Sequence, residues 1–243
     1  MSNDDAKGPI SDTGLAELNS RLQPLLLFFI DGASIIDGHD PKWILHYLHA
    51  PEGHVVAFCS AYPFLRFPDK VRLRISQFLV LPPFQRQGLG SLLYRRIVRT
   101  ASQVVDDDDG ITAAASPDSR RGGIVEEITV EDPSEAFSDF RLANDLAMVD
   151  AGLPVKLTVL QREEIQLMAT LRDRLALPRP GGQEEEEFAG WRRAVKRLLC
   201  KRYPDVAGAP KEERVKVLER LFVEELDRYR RILKLAPIYG EVL

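Results

Sequence analysis

Up to about residue 150 the apolar positions come in short runs, and beyond it they fall into long helical stripes. The run Leu25–Ile36 (LLLFFIDGASII) has strand composition, interrupted at Asp31-Gly32. His54–Ala61 and Arg72–Leu81 also read as strands. In the second, Leu73 and Ile75 alternate with Arg72, Arg74 and Ser76 before the run turns wholly apolar, as in a strand passing into a buried centre. Pro82-Pro83 end it. Gly90–Val105 reads as a helix, with Leu92, Leu93, Ile97 and Val98 on one face. Ile124–Val130 is a short strand, and Ser134 is the N-cap of a helix running to about Val149.

After Pro154 three helices are expected, near Gln161–Leu175, Glu184–Tyr203 and Lys211–Leu235, separated by PRPGG and PDVAGAP. In the last, Val215, Leu218, Phe222, Leu226, Tyr229 and Leu233 form one stripe, which is core or a helical partner face. The expected organisation is therefore a disordered segment at 1–13, a mixed domain at 14–153 and a helical domain at 154–243. Residues 106–123 (DDDDGITAAASPDSRRGG) have no usable period and are expected to be a mobile, solvated loop.

Composition sharpens this in a few places. Of 243 residues, 44% are hydrophobic and 29% charged, an ordinary globular balance. The longest apolar run, Leu25–Ile30, is far below the ~20 residues a membrane span needs, and no secretory signal pattern opens the chain. The two cysteines, Cys59 and Cys200, exclude a disulfide framework and point to a reducing compartment. With the scattered histidines they give no zinc spacing, so no metal is expected. Net charge of −4 argues against direct nucleic-acid binding. Its distribution is uneven, since residues 1–150 sum to −8. Within that half, Phe64–Arg99 holds eight basic residues against Asp69 alone. A polyanion site beside a cation site would explain this, as would a solvated strand edge and helix face.

Gln85-Arg86-Gln87-Gly88-Leu89-Gly90 lies between a buried strand and a helix. Two glycines here allow close backbone approach, and the helix start presents amides to an anion such as phosphate. A Gly-x-Gly alone is weak. It is neither a Rossmann fingerprint, which needs three glycines and a later acid, nor a P-loop.

This Gln-x-x-Gly-x-Gly, after the strand Gln77–Leu81, resembles the acetyl-CoA signature of the GNAT N-acetyltransferase superfamily. RISQFLVLPPFQRQGLGSLL, with EEITVEDPSEAF, FFIDGASIID and YPFLRFPDKVR, is similar to the catalytic region of type B histone acetyltransferases. WRRAVKRLL and LDRYRRILKLA resemble that family's helical tail. The resemblance runs from about Leu22 to Ala236. It implies an α/β (α+β) fold, in which a mixed, splayed sheet flanked by helices is followed by a small helical C-terminal domain. It also implies acetyl-CoA as cosubstrate, with Phe78, Leu79 and Val80 along the pantetheine arm. The amides of Gln85, Arg86, Gln87, Gly88, Leu89 and Gly90, with Ser91, would hold the pyrophosphate, and Ser134 would contact the cosubstrate from the opposite side.

The chemistry needs a carboxylate. A lysine of pKa ~10.4 is uncharged in only about one molecule in a thousand at neutral pH, and a positioned base is worth ~10²–10⁴-fold. Glu131 and Asp132 match the family's base-bearing pair, with Glu131 expected to be the base. The competing reading is that Asp132-Pro133-Ser134 merely starts a helix, which leaves Glu131 unexplained. Asp31, in an apolar strand, is expected to be paired or to face a cleft; it stands where the family has Glu, so the resemblance implies it is the third catalytic carboxylate, with an electrostatic role. Tyr62, Phe64 and Phe67 would wall a lysine's stem or else pack in the core. Glu126 and Glu127 are expected at the surface.

Two departures stand out: the family's N-terminal domain, ahead of the strand at Leu25, is reduced here to a short polar segment, and the 106–123 loop is longer than the family's. The resemblance implies lysine acetylation on the tail of newly made histone four, in cytoplasm and nucleus, with a WD-repeat histone-chaperone subunit as partner. The alternatives are a GNAT enzyme for another amine and a non-catalytic homologue that binds CoA.

Overall fold

Four strands form one mixed sheet in the order β1-β2-β3-β4: β1 (Ile44–His49), β2 (Val55–Arg66), β3 (Lys70–Val80) and β4 (Ile124–Val130). The computed structural model describes residues 12–37, 40–103, 124–176 and 183–240. β1, β2 and β3 pair antiparallel, whereas β4 joins β3 in parallel. The expected strands are all present except that at Leu25–Ile36. β1 was not anticipated, because ILHYLH has no clean alternation and is half-buried throughout its middle.

The exception has a simple cause. A short apolar run does not distinguish strand from helix by period alone. Here it completes α1 (Asp12–Phe29), whose Leu18, Leu22 and Leu26 recur every four residues and pack with Phe58 and Leu79 on the sheet. Of the rest of the run, Leu25, Leu27, Phe28 and Phe29 face outward, while Ile30 packs against that cluster. Asp31 therefore lies in an exposed turn after a helix, not in an apolar strand, and burial places no demand on it for a partner. Beyond the turn the chain returns to the sheet through Gln77. This polar residue on the buried face of β3 donates to the Ser34 carbonyl at 2.8 Å and accepts from Ser60 Oγ at 3.1 Å.

The other helices are α2 (Leu89–Gln103), α3 (Glu135–Asp150), α4 (Val159–Ala176), α5 (Gln183–Arg202), the short α6 (Pro204–Gly208) within the expected PDVAGAP linker, and α7 (Lys211–Gly240). The 106–123 segment, PRPGG and residues 1–11 lie outside the described residues. The chain divides into two compact units, residues 1–93 with 103–131, and residues 94–102 with 132–243. This division differs from one drawn at Pro154. The reason is that α3 contributes Leu142, Ala143 and Leu146 to a core shared with Met168, Trp191, Val195, Phe222 and Tyr229 of α4, α5 and α7. Most of the α7 stripe is core, although Val215 is exposed.

Two polar clusters stiffen this helical unit. Tyr94 OH donates to Asp145 at 2.7 Å and accepts from Arg141 Nε at 3.1 Å. Burial pushes the Tyr94 hydroxyl and the Asp145 carboxyl upward, while Tyr94 and Asp145 together outweigh the burial of Arg141 and raise it. Arg228 reaches Asp139, Glu164 and Glu225 at 2.6–3.0 Å, and Arg202 shares the last two. Among the described residues, no helix is long and apolar enough to cross a membrane.

Candidate active site

In the sheet unit, β3 presents two unlike faces. Val71, Leu73, Ile75, Gln77 and Leu79 are buried, whereas Arg72, Arg74, Ser76, Phe78 and Val80 are partly or wholly open. Its ladder with β4 ends at the Ile75–Val130 pair, followed by one more bond, Glu131 N to Ile75 O at 2.9 Å. β3 then continues from Ser76 to Val80 past its parallel neighbour.

A bulge lies at this point. Ser60 pairs with Gln77 and Ala61 with Ile75, so Ser76 is an extra residue in β3. The bulge also changes the phase of the strand. Ile75 turns its carbonyl to β4, but Leu81, of the same parity, turns its amide to Val56 of β2 at 2.9 Å. Val80 accordingly points its carbonyl away from β2, where Gln85 Nε2 donates to it at 2.9 Å.

Glu131 stands at the bulge. Ser76 Oγ donates to its Oε2 at 2.5 Å, and Arg74 Nη2 lies 3.4 Å from its Oε1. The carboxylate is 40% exposed, open to an incoming group. Arg74 also lies over the Phe64 ring, 4.3 Å from its centroid. Phe64 contacts Tyr62 at 5.0 Å and Tyr62 contacts Trp43 at 4.9 Å between centroids, while Tyr62 OH donates to Asp40 at 3.2 Å. These rings wall the open face next to Glu131 and are not core packing. Phe67 is 92% exposed at the hairpin tip and takes no part in the wall.

The turn after β3 is exposed from Gln85 to Gln87. Arg86 (φ 60) and Gly88 (φ 80) both have left-handed backbone, which reverses the chain into α2. Leu92 N bonds to Gly88 O at 3.0 Å, so Gly88 caps the helix and the amides that follow it lack partners within the helix. No acidic residue occupies the first turn. Ser91 Oγ is buried with no hydrogen-bond partner. An unfilled hydroxyl beside open helix-start amides matches the needs of a phosphate group.

Half of the basic surplus is spent within the sheet. Arg66 and Lys70 pair with Glu126, and Arg72 with Glu127. Glu127 is buried, not at the surface as expected. Arg86, Arg95, Arg96 and Arg99 have no ion pair among the described residues, and Arg95 donates instead to Asn144 Oδ1 at 3.2 Å. Asp132 (φ 36) and Ser134 fall in the helical unit, where Ser134 Oγ caps α3 by accepting from Phe137 N at 3.2 Å. The structure thus joins Glu131 to Ser76 and Arg74, and Gln85 to Val80, but brings neither Asp31 nor Ser134 into those contacts. Sequence reasoning overlooked Ser76, Arg74, Trp43 and Asp40. The parity of Arg72, Arg74 and Ser76 was visible, but not the strand end they meet. Among the described residues, no cluster of three or more His, Cys, Asp or Glu side chains could hold a metal ion.

The acetyltransferase (GNAT) family model matches residues 18–121, covering the sheet's first three strands, the glycine turn and α2. The chain has the GNAT acetyltransferase fold. Within that fold it is homologous to proteins named histone acetyltransferase type B catalytic subunit. It is 37% identical over 149 residues to one from Cryptococcus neoformans, covering 58% of this chain and 32% of that protein. A second, from Arabidopsis thaliana, is 38% identical over 146 residues (57% and 27%), and a third, from Schizosaccharomyces pombe, 35% over 133 residues (52% and 30%). The GNAT-fold chain spans about a third of the length of these relatives.

Proposed function

We propose that this chain transfers an acetyl group from acetyl-CoA to a lysine side chain, with the tail of histone four as acceptor. The observation that carries the reading is Glu131, held by Ser76 where the β3–β4 ladder ends and open to solvent on the aromatic-walled face. Acetyl-CoA would supply an activated acetyl thioester. The edge of β3 from Phe78 through Leu79 to Val80 would lie along its pantetheine arm, and the turn Gln85–Gly90 with Ser91 would hold its phosphates. Glu131 takes a proton from the acceptor ammonium. The neutral nitrogen then bonds to the acetyl carbon, the carbon–sulfur bond breaks, the nitrogen sheds its surplus proton to solvent as the amide forms, and the departing thiolate takes a proton from solvent. A base in this role contributes ~10²–10⁴-fold. Trp43, Tyr62 and Phe64 offer apolar faces to a lysine stem.

Support for a histone acceptor comes from the names of the relatives and from the acidic −8 balance of residues 1–150, which suits a basic tail. An enzyme acting on newly made histone would work in cytoplasm and nucleus, and the proposal includes a WD-repeat histone-chaperone subunit as partner. The deciding experiment incubates the purified chain with acetyl-CoA and the histone four tail peptide, measuring released CoA. Turnover that Glu131→Gln abolishes supports the reading. No CoA release, or a Glu131→Gln chain as active as the wild type, removes it.

A further inference from the structure

On the open face of β3, Arg74 lies between two groups that each attract a cation, the Phe64 ring and the Glu131 carboxylate. Neither holds it firmly. The closer partner of Glu131 is Ser76, at 2.5 Å against 3.4 Å for Arg74. Arg74 Nε is buried without a hydrogen-bond partner, which weakens the arginine's hold on this position. The neighbouring cations are committed elsewhere, Arg72 to Glu127 and Lys70 and Arg66 to Glu126. Arg74 is therefore the basic residue of this strand whose carboxylate partner is also the candidate base. An aromatic face beside a carboxylate is the environment that recognises an alkylammonium ion.

We infer that Arg74 is a resident surrogate for the acceptor's ammonium group, seated between Phe64 and Glu131 until the incoming lysine displaces it. The inference rests on the reading of Glu131 as the base. A guanidinium suits the task because it stays protonated in proteins, so it neutralises Glu131 without giving the carboxylate its proton. It also selects the acceptor. A cationic amine recovers the contacts that Arg74 gives up, whereas a neutral group of the same shape does not. Because part of the population is occupied by the surrogate, apparent affinity for the acceptor is reduced by the fraction so occupied.

The test is calorimetric and needs no turnover. The unacetylated histone four tail peptide, and a counterpart with norleucine in place of each lysine, are titrated into the chain saturated with CoA. Arg74→Leu and Arg74→Gln should each bind the lysine peptide about three- to tenfold more tightly than the wild type, with norleucine-peptide and CoA affinities unchanged. Arg74→Lys should bind as the wild type does. Two independent neutral substitutions guard against one that fails to fold. Lysine-peptide affinity that is unchanged or weaker in the neutral variants overturns the displacement, as does equal tightening for the norleucine peptide. The base assignment is judged separately, by the turnover of Glu131→Gln.

Discussion

Ser76 Oγ donates to Glu131 Oε2 at 2.5 Å, joining the bulge of one strand to the first residue beyond the end of another. A hydroxyl donating to a carboxylate fixes which way that carboxylate points while leaving lone pairs for a substrate. Hydrogen bonds to charged groups are worth ~1.5–3 kcal/mol, and solvent reduces this at a partly exposed site. Ser76→Ala should lower kcat about five-fold and leave the KM for acetyl-CoA unchanged, as steady-state kinetics would show.

Removing the carboxylate itself is more severe. Glu131→Gln keeps the shape and loses the proposed base, so kcat should fall by ~10²–10⁴. Calorimetry should find acetyl-CoA affinity within two-fold or so of wild type. A parallel collapse in cosubstrate affinity would mean that Glu131 supports the binding edge instead of the proton transfer.

The turn offers a backbone test. Gly88 at φ 80 adopts a conformation that costs an L-residue ~1–2 kcal/mol. Gly88→Ala should lower the melting temperature and weaken acetyl-CoA binding together, because the same backbone shapes the helix start. Arg86 already bears such strain at φ 60, so Arg86→Gly should be neutral or stabilising in the same melts.

How much of this was legible beforehand depended on distance along the chain. The glycine turn, the Ser134 cap and the alternation of β3 each depend on neighbours a few residues apart, and all three follow from local chemistry. The ion pairs between Arg72 and Glu127, and between Arg74 and Glu131, depend on the register of β4, set across more than fifty residues, which no local period encodes. The strand expected around Asp31 is overturned for another reason: LLLFF satisfies both periods, and only the leucines ahead of it, packing on Phe58 and Leu79, decide for helix.

Acid should loosen the outer end of the sheet. Glu126 is held below its ordinary pKa of 4.5, first by its hydrogen bond from Lys70. The folded state therefore binds fewer protons there than the unfolded chain. Stability from this group is fully present above the unfolded value and lost as pH falls through the lowered one. Melting temperatures of wild type and Glu126→Gln, followed from pH 6 to 3, should converge towards the acid end.

In the helical unit, Ser134→Ala should cost about 1 kcal/mol through the lost cap of α3. Arg228→Met should cost more, ~3–5 kcal/mol, because it strands Glu164 and Glu225 with only Arg202 between them. Urea unfolding curves would rank the two variants, and a reversed ranking would show that water already screens the arginine cluster.

The insertion at Ser76 has a genetic consequence. Deleting that one codon would restore an unbroken ladder across Ser60 and Ala61, swing the Val80 carbonyl round to the opposite margin and strip Gln85 of its acceptor. The chemistry proposed for this edge thus hangs on a counting rule kept by β2, a strand to which no reacting group is assigned, and a lineage that lost the surplus residue would lose the proposed reactive margin while retaining every side chain assigned to it except one.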